Sequence, residues 1–294
     1  MPTDTLPMPK GTIKINNPPP QPIIGPPPKS QKYKGVKHTI MVMSGKGGVG
    51  KSTVSVNLAV TLANQSLKTG LIDADINGPD DPKMLGADNE KLYAQGDKIL
   101  PVKTRYGVDL VSMGFILPTE DTAVIWRGAL RHKAIQQFLE DVMWGERDYV
   151  IIDMPPGTGD EALSVSQLID ADGVVIVVTP QDIALLDAKK AINFANQLKV
   201  PVLGIVENMS GFICPHCGQT VDIFKRGGGE KAAEAYGVPF LGRIPLVAEL
   251  VEKSDQGIPA VVYSEEMRKI FDEIARKVRE QVEKKPHSGT DSSM

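Results

Sequence analysis

The chain has 294 residues, 41% of them apolar, enough for a substantial core in one large α/β domain or two small ones. Its formal net charge of −3 argues against a protein built mainly to coat nucleic acid, which needs concentrated Lys and Arg. No apolar run approaches the roughly 18 residues that span a bilayer and no basic-then-apolar leader opens the sequence, so a cytoplasmic protein that binds neither membrane nor nucleic acid is expected.

Residues 1–36 contain two PPP runs and almost no periodic apolar pattern. Proline withholds backbone donors and the segment cannot bury enough surface to offset ordering, so an extended, solvated arm is expected. Beyond it, β-rich runs at 38–43, 69–73, 109–113, 149–153, 173–179, 202–207 and 240–243 alternate with helical patterns. The helices are expected at about 51–65, 128–143, 160–169, 183–198, 229–236 and 264–284. "YVIID" and "GVVIVV" are continuous apolar runs, as in strands covered on both faces. In the last helix Met267, Ile270, Phe271, Ile274 and Val278 share one face, which should pack on the sheet. The alternation predicts an α/β fold over 37–285: a doubly wound, mostly parallel sheet with helices on both faces, followed by a polar tail at 286–294. Its ligand should lie beyond the carboxyl ends of the strands.

"SGKGGVGKST" falls between the first predicted strand and the first helix, the context that makes G-x-x-x-x-G-K-[ST] a credible phosphate loop. Gly45, Gly47, Gly48 and Gly50, with Val49 among them, let backbone N–H groups turn inward around phosphate oxygens at a helix N-terminus. Lys51 should reach the β- and γ-phosphates, Ser52 should place its hydroxyl on Mg²⁺, and Thr53 should contact the α-phosphate. Asp153, ending "VIID", is placed to hold the Mg²⁺ water shell, and Gly157 in the following "PPGTGD" to sense the γ-phosphate. "LIDADINGPD" sets Asp73 and Asp75 at a strand end. Asp75 is the choice to orient attacking water, while helix capping or turn formation competes, more strongly for Asp73. No N-K-x-D guanine motif occurs, and Asn208 in "VENMS" offers a strand-end amide to adenine, so ATP is preferred over GTP. The second loop lysine, Lys46, has no duty toward its own phosphates. A cation supplied from a facing subunit acts like an arginine finger, so Lys46 calls for a dimer.

The chain has two cysteines, Cys214 and Cys217, in a loop at 212–220. Two thiolates make half of a tetrahedral site, and His216 between them is badly placed to join the same metal. Pro215 and Gly218 shape a tight turn whose N–H groups can face sulfur, and two such knuckles would close one site on a twofold axis. A thioredoxin-like redox pair is disfavoured by Gly218 and the β-branched residues after it, where a helix would be needed. Structural zinc and an iron–sulfur cluster both remain open on thiolate chemistry alone.

"GKGGVGKST" with "DADINGP" and "IIDMPPGTGD" resembles the deviant Walker A ATPases, the group that includes the MinD and ParA proteins. That resemblance implies that Lys46 acts across a nucleotide-sandwich dimer. With "VVTPQDIALLDAKKA", "VENMSGF", "CPHCG" and "LGRIPL" added in order, the chain is similar to the Mrp/ApbC family of P-loop ATPases over about residues 37–280. The likeness implies an ATPase whose Cys214 and Cys217 bridge a [4Fe-4S] cluster in a homodimer and pass it to apo client proteins, with ATP needed for loading or release. Two departures stand out. Asp80 and Asp81 follow "NGP" where a serine and an aliphatic residue are usual, and a proline-rich arm stands where relatives often carry a small N-terminal domain. A MinD- or ParA-like positioning switch would call for an amphipathic membrane helix or a basic DNA face. The tail "KKPHSGTDSSM" and the slightly acidic charge disfavour it. An inactive dimer scaffold held by structural zinc is the third reading.

Overall fold

The computed structural model describes residues 33–96, 98–115, 136, 138–181, 183–213, 217 and 219–284. The first half of the chain forms β1 (Val36–Ser44), α1 (Lys51–Asn64), β2 (Thr69–Asp73), α2 (Asp81–Met84), β3 (Tyr93–Gln95), β4 (Lys98–Leu100), β5 (Val102–Lys103), β6 (Val108–Ser112) and β7 (Arg147–Asp153). Then come α3 (Asp160–Leu168), β8 (Gly173–Val178), α4 (Ala184–Gln197), β9 (Val202–Glu207), β10 (Phe212–Ile213) and β11 (Thr220–Val221). The chain closes with α5 (Gly228–Tyr236), β12 (Phe240–Arg243), α6 (Ala248–Asp255), α7 (Ala260–Tyr263) and α8 (Glu265–Glu283).

Apolar strands that must be covered on both faces set the centre of the molecule: every residue of β2 and β8 is buried, as are the last five of β7. The sheet runs β12-β9-β8-β1-β7-β2-β6-β5, and all neighbours are parallel except β5, which pairs antiparallel with β6 at one edge. The seven parallel strands are the seven read from the sequence. On one face α3, α4 and α5 bury Val165, Ala188, Ile192 and Ala232. On the other, α1, α7 and α8 bury Leu58, Leu62, Val261 and Phe271.

Helix α8 starts where Ser264 Oγ accepts the Met267 amide at 3.3 Å, a serine N-cap. Met267, Phe271, Ile274, Val278 and Val282 then recur on its buried stripe, while Ile270 is half-buried. The expected helix at 128–143 lies largely outside the described residues. Its described part is helical only as far as Glu140, and Val142 instead bridges to Ile99. Of the arm expected at 1–36, residues 1–32 lie outside the described residues, as does the tail from 285, whereas Val36 is buried and opens β1.

Chain order reverses about β1, which has β7 on one side and β8 on the other. That places a crevice beyond the carboxyl ends of the central strands, where open α/β sheets hold their ligands.

Candidate functional site

Strand β1 ends at Ser44, whose Oγ donates to the Lys46 carbonyl at 2.8 Å. The loop then turns into α1 through Gly48 and Gly50, at φ 74° and 78°, a left-handed conformation that strains any side chain. Space is closed as well. A Cβ on Gly45 would lie 2.3 Å from the Asp187 carbonyl oxygen, and one on Gly50 2.2 Å from Asn208 Nδ2. The loop is therefore clamped between the first turn of α4 and the residue after β9. Asn208 Nδ2 donates to the Val49 carbonyl at 2.9 Å, so the amide that the sequence offers to adenine also braces the loop. Gly47 faces the segment after β7, since a Cβ on it would be 3.7 Å from Pro156 Cβ. That segment carries Gly157, at φ 78°.

The centre of the site is Asp153. Its Oδ2 lies 2.6 Å from Lys51 Nζ and accepts Ser52 Oγ at 2.7 Å, while Oδ1 accepts Ser55 Oγ at 2.6 Å. Burial by itself pulls the Lys51 ammonium down. The charge and hydrogen bond of Asp153, with Asp81 and Asp73 behind them, outweigh burial and hold Lys51 above the usual lysine value. Thr53 is half-buried in the first turn of α1, where its carbonyl accepts Asn57 Nδ2 at 2.8 Å. Ser52 Oγ and Asp153 Oδ2 together supply the hard oxygen donors that Mg²⁺ prefers, so these residues fit that ion.

Sheet register puts the second acid cluster beside the first. Asp73 of β2 is the direct partner of Asp153 on β7, and the Ala74 amide donates to the Asp153 carbonyl at 3.0 Å. Asp73 is fully buried; Oδ2 accepts Ser112 Oγ at 2.8 Å and Oδ1 accepts the Asp75 amide at 3.1 Å. Half-buried Asp75 accepts the Asn77 and Gly78 amides at 3.1 and 3.3 Å, an Asx turn, and burial raises its carboxyl above the ordinary value. Both aspartates thus shape turns, the competing role considered for them, and Asp73 additionally faces the phosphate-loop lysine through Asp153. Asn77 Nδ2 donates to Glu161 Oε2 at 2.8 Å, linking the segment after β2 to α3.

Lys46 leaves its own phosphate loop. Its Nζ stands 2.9 Å from Asp187 Oδ2 on α4, an ion pair that falls short of hydrogen-bond geometry, and its side chain is 34% exposed. Just before Asp187 in the chain, Ile183, Leu185 and Leu186 are exposed apolar residues.

The cysteines lie in the connection of a hairpin, between β10 and β11, which pair antiparallel through Phe212–Val221 and Ile213–Thr220. Cys217 is exposed and free, whereas Cys214, Pro215, His216 and Gly218 lie outside the described residues. Both ends of this excursion are fastened to one buried carboxylate. Glu207 Oε1 accepts Ser210 Oγ and the Gly227 amide, the latter at 2.9 Å, Oε2 accepts the Gly229 amide at 2.5 Å, and Arg243 Nε stands 3.5 Å away. The N-terminus of α5 adds favourable dipole. Glu207→Gln keeps the shape but sets an amide group against these donors. Stability should fall by roughly 1.5–3 kcal/mol, the usual cost of a hydrogen bond to a charged group. Urea denaturation should show it, and amide exchange should speed up at Gly227 and Gly229. Unchanged protection there would remove Glu207 as the anchor.

Ser55, Glu207 and Asp187 differ in how far their roles show in the sequence. Ser55 was legible, since it lies four residues after Lys51 on the same helix face. Glu207 was hidden beside Asn208, because a strand-end glutamate gives no sign of the amides it will meet. Asp187 could be paired with Lys46 only through the fold.

A glycine loop between a buried strand and a helix, its lysine paired to a strand-end aspartate, and a second lysine turned outward define a P-loop nucleoside triphosphatase. The chain belongs to the family described as ParA, NUBPL iron-transfer P-loop NTPase, which it matches over residues 35–279. It is 54% identical over 248 residues to the iron-sulfur cluster carrier protein of Methanocaldococcus jannaschii, covering 83% of this chain and 86% of the relative. It is 42% identical over 260 residues to the cytosolic Fe-S cluster assembly factor CFD1 of Saccharomyces cerevisiae, covering 84% and 89%. Among solved structures, a nucleotide-binding protein of Archaeoglobus fulgidus in complex with ADP, with Co found by PIXE, superposes with TM-score 0.68 at 42% identity over 76% of this chain and 87% of that one. The MinD cell division protein of Aquifex aeolicus shares the fold at TM-score 0.59 and 23% identity, over 83% and 97%. The motif resemblance to Mrp/ApbC proteins is thereby borne out.

Proposed function

We propose that the chain is an ATP-hydrolysing iron–sulfur cluster carrier that works as a homodimer, holds a [4Fe-4S] cluster between the Cys214 and Cys217 pairs of two copies, and passes it to apo client proteins. One observation carries the reading. Consecutive residues at the end of β9 serve both centres: Glu207 fastens the cysteine excursion, and Asn208 braces the phosphate loop at Val49. A change in one loop is thus felt at the root of the other.

Each centre is incomplete in a single chain. One chain offers two thiolates where a cluster takes four protein ligands. Ile183, Leu185 and Leu186, just before Asp187 in the chain, are exposed apolar residues, which suits burial against a second copy. Within each site, Gly45 to Gly50 cradle the phosphates of ATP, Lys51 exchanges Asp153 for the β- and γ-phosphates, Thr53 meets the α-phosphate, and the Gly157 amide reads the γ-phosphate. Asp75 orients the attacking water, and Asn208 contributes its remaining amide atoms to adenine. Ser52 and, through water, Asp153 would hold Mg²⁺, which neutralises charge on the phosphate oxygens when bound. We place the protein in the cytoplasm: the yeast relative is named a cytosolic factor, and among the described residues no helix is long and apolar enough to cross a membrane.

Anaerobic reconstitution with iron and sulfide tests the proposal. Wild type should retain roughly four of each per dimer, the content of one [4Fe-4S] cluster, and Cys217→Ala should retain essentially none. Stoichiometric zinc that iron does not displace would overturn it in favour of a structural site.

A further inference from the structure

Asp81 opens α2 and has no part in the chemistry above. It is fully buried, and neither of its carboxylate oxygens has a hydrogen-bond partner. An isolated carboxylate withdrawn from water in this way is costly unless something positive meets it. What it faces is acidic. One carboxylate oxygen from each of Asp73, Asp81 and Asp153 lies within 4.8 Å of the other two, all three residues buried. Lys51 is the ammonium facing them, and it donates to Asp153 at 2.6 Å and to Ser52 at 3.4 Å, not to Asp81.

We propose that Asp73, Asp81 and Asp153 form a binding site for one hard divalent cation, of Mg²⁺ or Mn²⁺ type, that fills before any nucleotide arrives. The spacing allows it, since the three oxygens stand within 4.8 Å of one another, near enough to converge on one ion. Charge suits it too, because three carboxylates against one ammonium leave an excess that a divalent ion cancels. All donors are oxygens, which selects hard cations over thiolate-seeking ones. Three buried carboxylates this close repel one another unless a cation joins them.

The site shares Asp153 with the phosphate-linked ion, which that residue serves through water beside Ser52, and differs from it in drawing on Asp81 and in filling without nucleotide. Asp81 is its dedicated member, since Asp73 and Asp153 already accept Ser112, Ser52, Ser55 and Lys51. An ion on Asp153 also loosens the Lys51 pair and so readies Lys51 for phosphate.

Manganese titration of EDTA-stripped, nucleotide-free protein, with free Mn²⁺ followed by electron paramagnetic resonance, tests the inference. Wild type should take up one Mn²⁺ per chain and melt at a higher temperature with it. Asp81→Asn should bind at least ~10-fold more weakly, the loss that follows even from removing an outer-shell partner. Asp80→Asn, at an exposed neighbour, should bind like wild type. Wild type that takes up no Mn²⁺ without nucleotide, whatever becomes of the variants, overturns the site in favour of carboxyls that hold protons. So does equal binding by Asp81→Asn, or an equal loss in Asp80→Asn. Iron and sulfide retention through Cys217 is measured independently, so either reading can fail alone.

Discussion

Asp153→Ala should lower the stability of the nucleotide-free protein by about 3 kcal/mol, the low end of the range for breaking a buried ion pair. Lys51 and Asp153 are 6% and 1% exposed, so the ammonium left behind has little water to turn to. Ser52 loses its acceptor at the same stroke, which adds to the cost, whereas Ser55 keeps the Lys51 carbonyl at 3.1 Å. Opposing these losses, Asp73 and Asp81 are relieved of a neighbouring negative charge and remain near enough to draw Lys51 toward them. That relief is why the low end is chosen. Urea denaturation gives the number, and a midpoint within error of wild type would show that Lys51 is not held as described. Asp153→Asn, which keeps an acceptor oxygen, should fall between the two.

How much of this was legible beforehand follows from burial. Strands such as β8 announce themselves because a short continuous apolar run suits a strand covered on both faces, and several of the seven parallel strands carry that signal. The short elements gave no such signal. β5, the β3–β4 and β10–β11 hairpins, and the four-residue helices α2 and α7 are too brief to show a period. The phosphate loop was legible because its glycines answer to local backbone geometry. The acid cluster was only half so: that Asp73 lies directly opposite Asp153 depends on β2 being inserted next to β7, a fact of sheet order rather than of spacing along the chain. Asp81 shows the same limit more sharply. As one of two adjacent aspartates after a proline it reads as a turn residue, and only the folded chain buries it without a partner.

Lys46→Ala should leave ATP binding intact and lower turnover by about 10³-fold or more, the range for losing a cation supplied to the developing phosphoryl charge. In the single chain Lys46 is paired to Asp187 instead, which sets the cost of recruiting it. The lysine is one-third exposed, and pairs open to solvent are worth about 0–1 kcal/mol, so a facing nucleotide can draw Lys46 away cheaply. Asp187 is itself nearly buried and loses something more when the pair opens, so in the proposed dimer Lys46 is a cation released by pairing rather than one always presented. Turnover alone does not separate action across subunits from a purely local effect; mixing does. An Asp75→Ala subunit lacks the proposed water-orienting group but still presents Lys46, while a Lys46→Ala subunit keeps Asp75. Each mixed dimer then rebuilds one complete site. Random pairing of two inactive variants should restore about a quarter of wild-type activity, since half the dimers are mixed and half their sites are whole. Activity that stays at the level of the separate variants would confine Lys46 to its own subunit, and with it would go the reason for requiring two chains at the phosphates.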